Sequence, residues 1–263
     1  MASDTTYSSY LDLDRILAAQ HPVSGAHDEM LFIVVHQASE LWLKLCLHEL
    51  TAARDCITVD NLRPAFKMLA RVARAQGQLI QSWDVLSTMT PHDYSTVRPH
   101  LGGSSGFQSA QYRMMEFIMG ARKPEMARMH EATPEVAAML RAELGRRSIY
   151  AEAVHLLARR GFAIPAEVLE RGHEGSWEHS ADVEAAWAEI YRDPQQHWDL
   201  YELAEKLVDL EYHFQRWRFG HLKTVERIIG FKTGTGGTPG VPYLAGVLKQ
   251  AFFPELLSVR TAL

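Results

Sequence analysis

Apolar residues recur at alternating intervals of three and four positions towards the end of the chain, which is the spacing of one face of an α-helix. The stripe consists of Leu203, Leu207, Leu210, Phe214, Trp217, His221, Thr224 and Ile228. It predicts one long helix over 195–229 that faces a core. Gly230 follows and is expected to end the helix, because glycine readily takes the left-handed conformation after the last turn.

The same periodicity, interrupted by proline and glycine, predicts helices through most of the remaining chain. They cover 28–55, 61–88, 105–121, two shorter pieces within 135–160, 181–192 and 243–252. Alternating β patterns are nearly absent. The stretches 90–106 and 171–181 are expected to be non-helical connections, the second one polar, without apolar anchors and flexible. The pattern therefore predicts an all-α helical bundle in which 1–263 forms a single domain.

A glycine- and threonine-rich stretch, GFKTGTGG at 230–237, follows the long helix and invites comparison with a phosphate-binding loop. Such a loop comes after a strand, and its lysine stands behind the glycines, at the start of a helix. Here the stretch comes after a helix, and Lys232 precedes most of the glycines. This order excludes the phosphate-binding loop, so the stretch needs another explanation.

Composition narrows the class of protein without identifying it. The chain is 47% hydrophobic and 22% charged, as is usual for a soluble globular protein, and its net charge of −5 provides no basic surface for nucleic acid or an anionic membrane. Cys46 and Cys56 form neither a CxxC motif nor a zinc pair. The N-terminus lacks the pattern of a signal peptide, and no uncharged run is long enough to span a membrane. We therefore expect a cytoplasmic protein.

Two histidines occupy apolar helix positions where leucine or phenylalanine is expected. His36 lies in LFIVVHQASELW, and His221 lies on the stripe of the long helix. Such a histidine is most often a core residue with satisfied hydrogen bonds. The functional alternatives are a neutral imidazole lining a dry pocket for His36 and an axial iron ligand for His221. A porphyrin would supply the other four ligands, and the absence of CxxCH would make such a haem non-covalent.

The triplet His27-Asp28-Glu29 fits H-x-E, the beginning of a two-histidine, one-carboxylate iron site. The match is only three residues long. It is better explained as the start of a helix, where acidic residues are favourable because of the helix dipole.

Arg98 lies in the predicted break, in the stretch DYSTVRPHLGGSSG. Exposed arginines are mostly only solvated, but a guanidinium can also bind a carboxylate through two hydrogen bonds. Tyr94 would share a face with Arg98 if the stretch were helical. Ser105 and Gly106 offer a small hydroxyl and close backbone approach, which suit contact with a flat cofactor.

Four blocks of the chain are long and specific: HDEMLFIVVHQASELWLKL, GSSGFQSAQYR, WRFGHLKTVERIIGFKTGTGG and FFPELLSVRT. In this combination and order, from about Tyr7 to about Thr261, the sequence resembles the tryptophan 2,3-dioxygenase family. The resemblance implies an all-α enzyme that holds haem b between helices. It implies that the enzyme uses O₂ to open the indole ring of L-tryptophan, giving N-formylkynurenine, and that it assembles as a homotetramer.

The resemblance also implies roles for residues around the haem. His221 matches the proximal iron ligand, and His36 matches the distal histidine that faces the indole N–H. Phe32 matches an aromatic residue that packs on the substrate. Ser105 and Gly106 match the wall above the haem on the distal side.

Further residues match the part of the family's site that holds the amino-acid head group. Tyr94 and Arg98 correspond to the pair that holds the substrate carboxylate, with Leu101 beside them. Thr235 corresponds to a loop residue that binds the ammonium and carboxylate groups. In the N-terminal segment 1–20, Tyr7 and Tyr10 correspond to residues that reach into the site of a neighbouring subunit.

The chain departs from the family pattern next to these positions. It has YSSYL for YGGYL, IVVHQASELW for IIQHQTSELW, Val97 for phenylalanine and GTGGTP for GTGGSS, which changes Thr238 and Pro239. WRFGH replaces WRFRH, so that Gly220 removes a charge beside His221 and is expected to loosen the helix. Pro99 is expected to disfavour helical backbone geometry at Arg98.

Three alternatives to the dioxygenase remain, and these departures suggest the first of them. The first is a monooxygenase of the same family that converts a β-substituted tryptophan, such as β-methyltryptophan, to a 2-oxindole. The second is a haem sensor or carrier on the same helices, against which Arg98, Thr235 and His36 argue, because a carrier needs no site for a zwitterion. The third is a non-haem iron enzyme that uses His27 and Glu29.

Overall fold

The computed structural model describes residues 5–173, 175–237 and 239–263, and every regular element in this part of the chain is helical. The α-helices are α1 (Tyr7–Leu11), α2 (Leu13–Leu17), α3 (Glu29–Thr58), α4 (Leu62–Leu86), α5 (Pro91–Val97), α6 (Ala110–Met119), α7 (Pro124–Arg128), α8 (Pro134–Leu144), α9 (Ile149–Arg159), α10 (Ala166–Leu169), α11 (Ala181–Arg192), α12 (Trp198–Ile228), α13 (Val241–Val247) and α14 (Pro254–Ser258). Short 3-10 turns occupy Arg98–His100, Gly106–Gln108 and Val259–Thr261. The all-α prediction is confirmed.

Three long helices, α3, α4 and α12, form the centre of the fold, with α6 and α9 packed against α3. Their inner faces follow the helical period, as on α3, where Leu43, Cys46, Leu50, Ala53 and Ile57 are almost completely buried. Burial of a leucine- or isoleucine-sized side chain contributes about 1.5–3 kcal/mol. The three helices therefore make a rigid frame on which functional side chains can be held.

The long helices have nearly the predicted bounds. α12 covers Trp198–Ile228, where 195–229 was expected, and α11 covers 181–192 as expected. Gly230 has a φ of 69°, and its N–H donates to the carbonyl of Glu226, so it ends α12 as predicted. The two shorter helices expected within 135–160 are α8 and α9.

Two predicted helices have different bounds in the structure. The helix expected over 105–121 begins only at Ala110, because Ser109 has extended backbone dihedrals and its Oγ accepts the Tyr112 N–H as a helix cap. The helix expected over 243–252 instead spans Val241–Val247, with Pro242 in its first turn.

The predicted break at 90–106 contains a helix, so this part of the prediction is wrong. Thr90 and Asp93 form a reciprocal capping box at the start of α5, and Tyr94 and Val97 bury its inner face. The expectation for Arg98 is also wrong: its φ of −51° and ψ of −43° are helical although Pro99 follows. The 3-10 turn that begins at Arg98 stabilises this geometry, as does the bond from the Arg98 N–H to the Tyr94 carbonyl.

The connection predicted at 171–181 is non-helical in its described residues up to Ser180, and α11 begins at Ala181, but the connection has an apolar anchor that was not expected. Trp177 Nε1 donates to Glu255 Oε1 over 2.9 Å, and the Trp177 ring packs edge-on against Tyr150 with ring centroids 5.2 Å apart. The connection is therefore fixed to the core at this residue.

Among the described helices, α3 is long and apolar enough to cross a membrane by length and hydropathy alone. The core helix of a soluble protein passes the same test, and here α3 packs against α4, α6 and α9. The sequence-based expectation of no membrane span stays a prediction.

Candidate active site

A second apolar cluster, separate from the main core, lies where α3, α4, α5 and α12 come together. Its buried members are Val35, Leu86, Met89, Tyr94 and Ile228, with Leu31, Phe32, Trp83, Leu101 and Ile229 packed against them. We call this the site cluster. It brings together Phe32, Tyr94 and Leu101, three of the predicted site residues, and the Phe32 and Tyr94 ring centroids lie 6.3 Å apart.

His36 stands one helical turn after Phe32 on α3, and its ring packs on the Phe32 ring with centroids 4.2 Å apart. Its Nδ1 lies 2.7 Å from the Phe32 carbonyl oxygen. A carbonyl only accepts, so Nδ1 carries the proton and Nε2 keeps a free lone pair. Burial lowers the pKa of His36, against the opposing effects of this hydrogen bond and of Glu40. His36 is therefore a neutral hydrogen-bond acceptor at pH 7.

His221 projects from α12 and is half-buried. Burial lowers its pKa to about 4, and an electrostatic interaction with His36 contributes a smaller effect in the same direction. Within the described residues, no hydrogen bond engages either ring nitrogen of His221. His221 is thus a neutral imidazole with an available lone pair, the form that binds a metal ion.

Two tryptophans fix the orientation of the His221 ring. The Trp83 ring of α4 stacks on it with centroids 4.7 Å apart and an interplanar angle of 3°, and Trp217 packs at 5.7 Å. Trp83 and Trp217 are themselves in contact, with ring centroids 5.4 Å apart. A side chain held on two sides in this way loses little conformational freedom when it binds a metal ion.

Arg98 and the loop after α12 form the walls of one cleft. The cleft is lined by Arg98, Pro99, Gly102, Thr233, Gly234 and Thr235. An Arg98 NH2 group donates to the Thr233 carbonyl oxygen over 2.6 Å. The remaining guanidinium donors can serve a ligand carboxylate, for which their planar geometry is suited.

The glycines of the loop after α12 let its backbone approach neighbouring atoms more closely than a residue with a side chain could. A Cβ on Gly236 would lie 2.8 Å from both Cβ and Oγ of Ser105. Ser105 itself caps the 3-10 turn at Gly106 by accepting the Phe107 N–H. A Cβ on Gly240 would lie 2.8 Å from the Lys232 carbonyl oxygen. The loop therefore folds back on itself and brings Gly236, the residue after Thr235, against Ser105.

The comparisons with known proteins agree on one family. The family model described as tryptophan 2,3-dioxygenase matches residues 1–144 and 171–263. The tryptophan 2,3-dioxygenase of Erythrobacter litoralis is 82% identical over 263 residues, which is the full length of both chains.

The chain belongs to the tryptophan 2,3-dioxygenase family, and it is an enzyme of that family. The tryptophan 2,3-dioxygenase 1 of Ralstonia nicotianae is 58% identical over 258 residues, covering 98% of this chain and 88% of the relative. The tryptophan 2,3-dioxygenase of Cupriavidus necator is 56% identical over 262 residues, covering 100% and 89%.

In this chain, Gly220 has a packing role that the sequence did not suggest. α12 continues unbroken through Gly220, contrary to the expected loosening. A Cβ there would lie 2.7 Å from Trp83 Cδ1. The glycine therefore admits the indole ring that stacks on His221, and any larger residue needs a different position of Trp83.

We expect Gly220→Ala to destabilise the protein by about 1–3 kcal/mol, because the added methyl group overpacks a rigid ring. The measurement is the free energy of unfolding in urea. Gly77→Ala on α4 is the matched control: nothing lies within 4 Å of its Cβ, and alanine should stabilise the helix by about 0.5–1 kcal/mol. Equal effects of both changes would contradict the packing role.

The hypothesis of a non-haem iron site at His27 and Glu29 finds no support. Glu29 is buried, and its carboxylate accepts the Val23 N–H at 2.9 Å and the Ser24 N–H at 2.6 Å. Glu29 thus fixes the preceding loop to the start of α3. In the described ranges, no group of three histidine, cysteine or acidic side chains could hold a metal ion.

Two predicted site residues, Tyr7 and Tyr10, do not belong to the site cluster. Tyr7 and Tyr10 on α1 are 77% and 79% exposed, and α1 packs on α2. Thr238, one of the departures from the tryptophan 2,3-dioxygenase pattern, lies outside the described residues.

The sequence reasoning missed Trp83, which contacts His221 from a different helix. Its only sequence signal is the helical periodicity of α4. The close approach of Gly236 to Ser105 was also missed, because the two residues are far apart in the chain and no local motif links them.

Proposed function

We propose that the protein uses O₂ and haem b to open the indole ring of L-tryptophan, giving N-formylkynurenine. The observations that carry this proposal are the two neutral imidazoles, His36 on α3 and His221 on α12, and the cleft lined by Arg98 and Thr235. The names of the relatives support the same reaction.

The donor set fits haem better than a bare metal ion. His221 offers one available lone pair, and the described residues contain no cluster that would complete the coordination of a free ion. Iron carried by a porphyrin needs only one or two axial ligands. When bound, haem supplies the iron that activates O₂ for attack on the indole.

The head group of the substrate is assigned to Arg98 and Thr235. Arg98 already donates to Thr233, so the residues on both sides of the cleft are linked before a ligand binds. A carboxylate would bind the free guanidinium donors, and Thr235 would contribute its hydroxyl. Fixing the head group in this way determines where the indole lies, which is catalysis by positioning.

The indole is assigned to the site cluster. The free Nε2 of His36 can accept a hydrogen bond from the indole N–H, and Phe32 and Leu101 provide apolar walls. Tyr94 is 7% exposed, and burial raises the pKa of its hydroxyl, so it stays neutral beside the carboxylate. These walls would exclude water from reactive species in the pocket.

Gly236→Ala tests whether the loop after α12 must close over the substrate. The added methyl group would collide with Ser105, so we expect KM for L-tryptophan to rise about tenfold, the effect of losing about 1.4 kcal/mol of binding. The thermal midpoint should change little, since Gly236 is exposed. Gly246→Ala on α13, with nothing within 4 Å of its Cβ, is the control and should leave KM unchanged. An unaltered KM in Gly236→Ala would contradict loop closure.

Assembly and location extend this proposal. The exposed Tyr7 and Tyr10 leave α1 free to contact a neighbouring subunit of a homotetramer, as the family resemblance implies. Cys46 and Cys56 are free thiols, which supports a reducing cytoplasmic compartment.

The reaction is tested by mass spectrometry of the product formed under ¹⁸O₂. N-formylkynurenine with two labelled oxygen atoms is the expected product from L-tryptophan. A 2-oxindole with one labelled atom would overturn the proposal in favour of the monooxygenase, and a parallel reaction with β-methyltryptophan would identify its substrate. Haem binding without turnover of either compound would instead indicate a carrier.

A further inference from the structure

A second cavity lies away from the site cluster and shares no residue with it. It is bounded by the first turn of α9, the connection before α11 and the loop after α6. Its volume of about 310 Å³ is large enough for a small organic molecule rather than a single water. Six of its lining residues lie in 147–169, inside the stretch 145–170 that the family model does not match.

Three arginines line this cavity in a protein with a net charge of −5. Arg122 is 4% exposed, and among the described residues its guanidinium donates to main-chain carbonyls alone, those of Phe117, Glu143 and Arg146. The Nε of Arg122 is buried without a partner among the described residues. A buried guanidinium without a carboxylate is costly, and an anion in the cavity would offset that cost.

The other two arginines are also incompletely neutralised. Arg171 donates to the Glu178 carbonyl oxygen and forms no ion pair in the described part of the chain. Arg147 forms one ion pair, a long one of 3.4 Å to Glu152, and its Nε has no partner there either. Among the described residues that line the cavity, the acidic one is Glu178.

Burial lowers the pKa of Arg122 to about 10, Arg54 acts in the same direction, and Glu143 opposes the change. The Glu143 carboxylate is already paired with Arg54. One carboxylate, that of Glu143, therefore acts on two buried arginines, Arg54 and Arg122. Ser148 and Ala151 also line the cavity and lie at the start of α9. The N-terminus of a helix favours anions.

One wall of the cavity is aromatic and fixed. Trp177 is held by Glu255 and Tyr150, and the Arg171 guanidinium carbon lies 5.4 Å from the centroid of its ring. The wall therefore needs little rearrangement to receive a ligand, which favours binding.

We propose that this cavity is a binding site for a small oxyanion, a carboxylate or a phosphate, held by Arg122, Arg147 and Arg171 beside Trp177. The site is separate from the proposed tryptophan site. It can therefore be tested without reference to the oxygenase reaction.

The test is calorimetric titration of the haem-loaded protein with inorganic phosphate and, separately, citrate, at an ionic strength held constant with sodium chloride. We expect binding of at least one anion, and the two titrations distinguish phosphate from carboxylate. Arg147→Gln and Arg171→Gln should each raise Kd at least tenfold. Arg74→Gln, an exposed arginine on α4, should leave Kd unchanged.

A second measurement separates binding from folding. Anion binding should change the tryptophan fluorescence, and Trp177→Phe should remove that change while the circular dichroism stays the same. The proposal is overturned if neither anion binds the wild-type protein, or if both glutamine variants bind with the wild-type Kd. Failure here would leave haem binding and ring opening untouched, since the two sites share no residue.

Discussion

Replacement of His221 with alanine is expected to abolish haem binding. His221 is the proposed iron ligand, and the described residues contain no group of three histidine, cysteine or acidic side chains that could hold the iron in its place. Removing residues that only support a metal ligand already costs 10–100-fold in metal affinity, so loss of the ligand itself should cost more than about 100-fold. The measurement is the Soret absorbance and the molar ratio of haem to protein after reconstitution.

His213→Ala is the matched control for this change. His213 lies two turns earlier on the same helix, and its Nδ1 lies 2.7 Å from the Asp209 carbonyl oxygen. It should keep full haem content. Circular dichroism should report the same helix content in both variants, because α12 is held mainly by its buried leucines and phenylalanine. Full haem content in His221→Ala would refute the assignment of the iron ligand.

Free imidazole extends the same experiment. The space left by the histidine ring remains bordered by Trp83 and Trp217, so added imidazole is expected to restore part of the Soret absorbance in His221→Ala. A variant that had merely misfolded would not respond.

Replacement of Arg98 with alanine is expected to lower kcat/KM for L-tryptophan on the order of 100-fold. Hydrogen bonds to a charged group contribute about 1.5–3 kcal/mol, and their loss would leave the substrate carboxylate without its partner. Arg98→Lys should lose less, because it keeps the charge but not the planar pair of donors. The Soret absorbance should be unchanged in both, which separates substrate binding from haem binding.

A substrate without the carboxylate gives the sharpest test of Arg98. Tryptamine lacks the carboxylate that Arg98 would bind. It should therefore react poorly with the wild-type enzyme and almost equally poorly with Arg98→Ala. Arg74→Ala, on the exposed face of α4, should behave as wild type with both compounds. An equal loss for L-tryptophan and tryptamine in Arg98→Ala would show that Arg98 acts through the fold instead.

Much of the fold was predictable because the long helices depend on local periodicity. The stripe on α12 predicted both ends of that helix to within three residues, and Gly230 ends it through its own left-handed backbone. α5 was missed because its seven residues carry too short a pattern to recognise. Its stability comes from a capping box and from burial of Tyr94 and Val97 against other helices.

By itself the sequence determined the helical class, the length of α3, α4 and α12, and the exclusion of a phosphate-binding loop. Its motifs also indicated the family, which the comparisons confirm. All of these follow from the order and spacing of neighbouring residues.

Only the tertiary structure decided how those residues meet. It placed Trp83 on His221, gave Gly220 its role in admitting that ring, brought Gly236 against Ser105 and enclosed three arginines around a second cavity. Each is a contact between segments far apart in the chain, and such contacts depend on how helices pack, for which local spacing carries no signal.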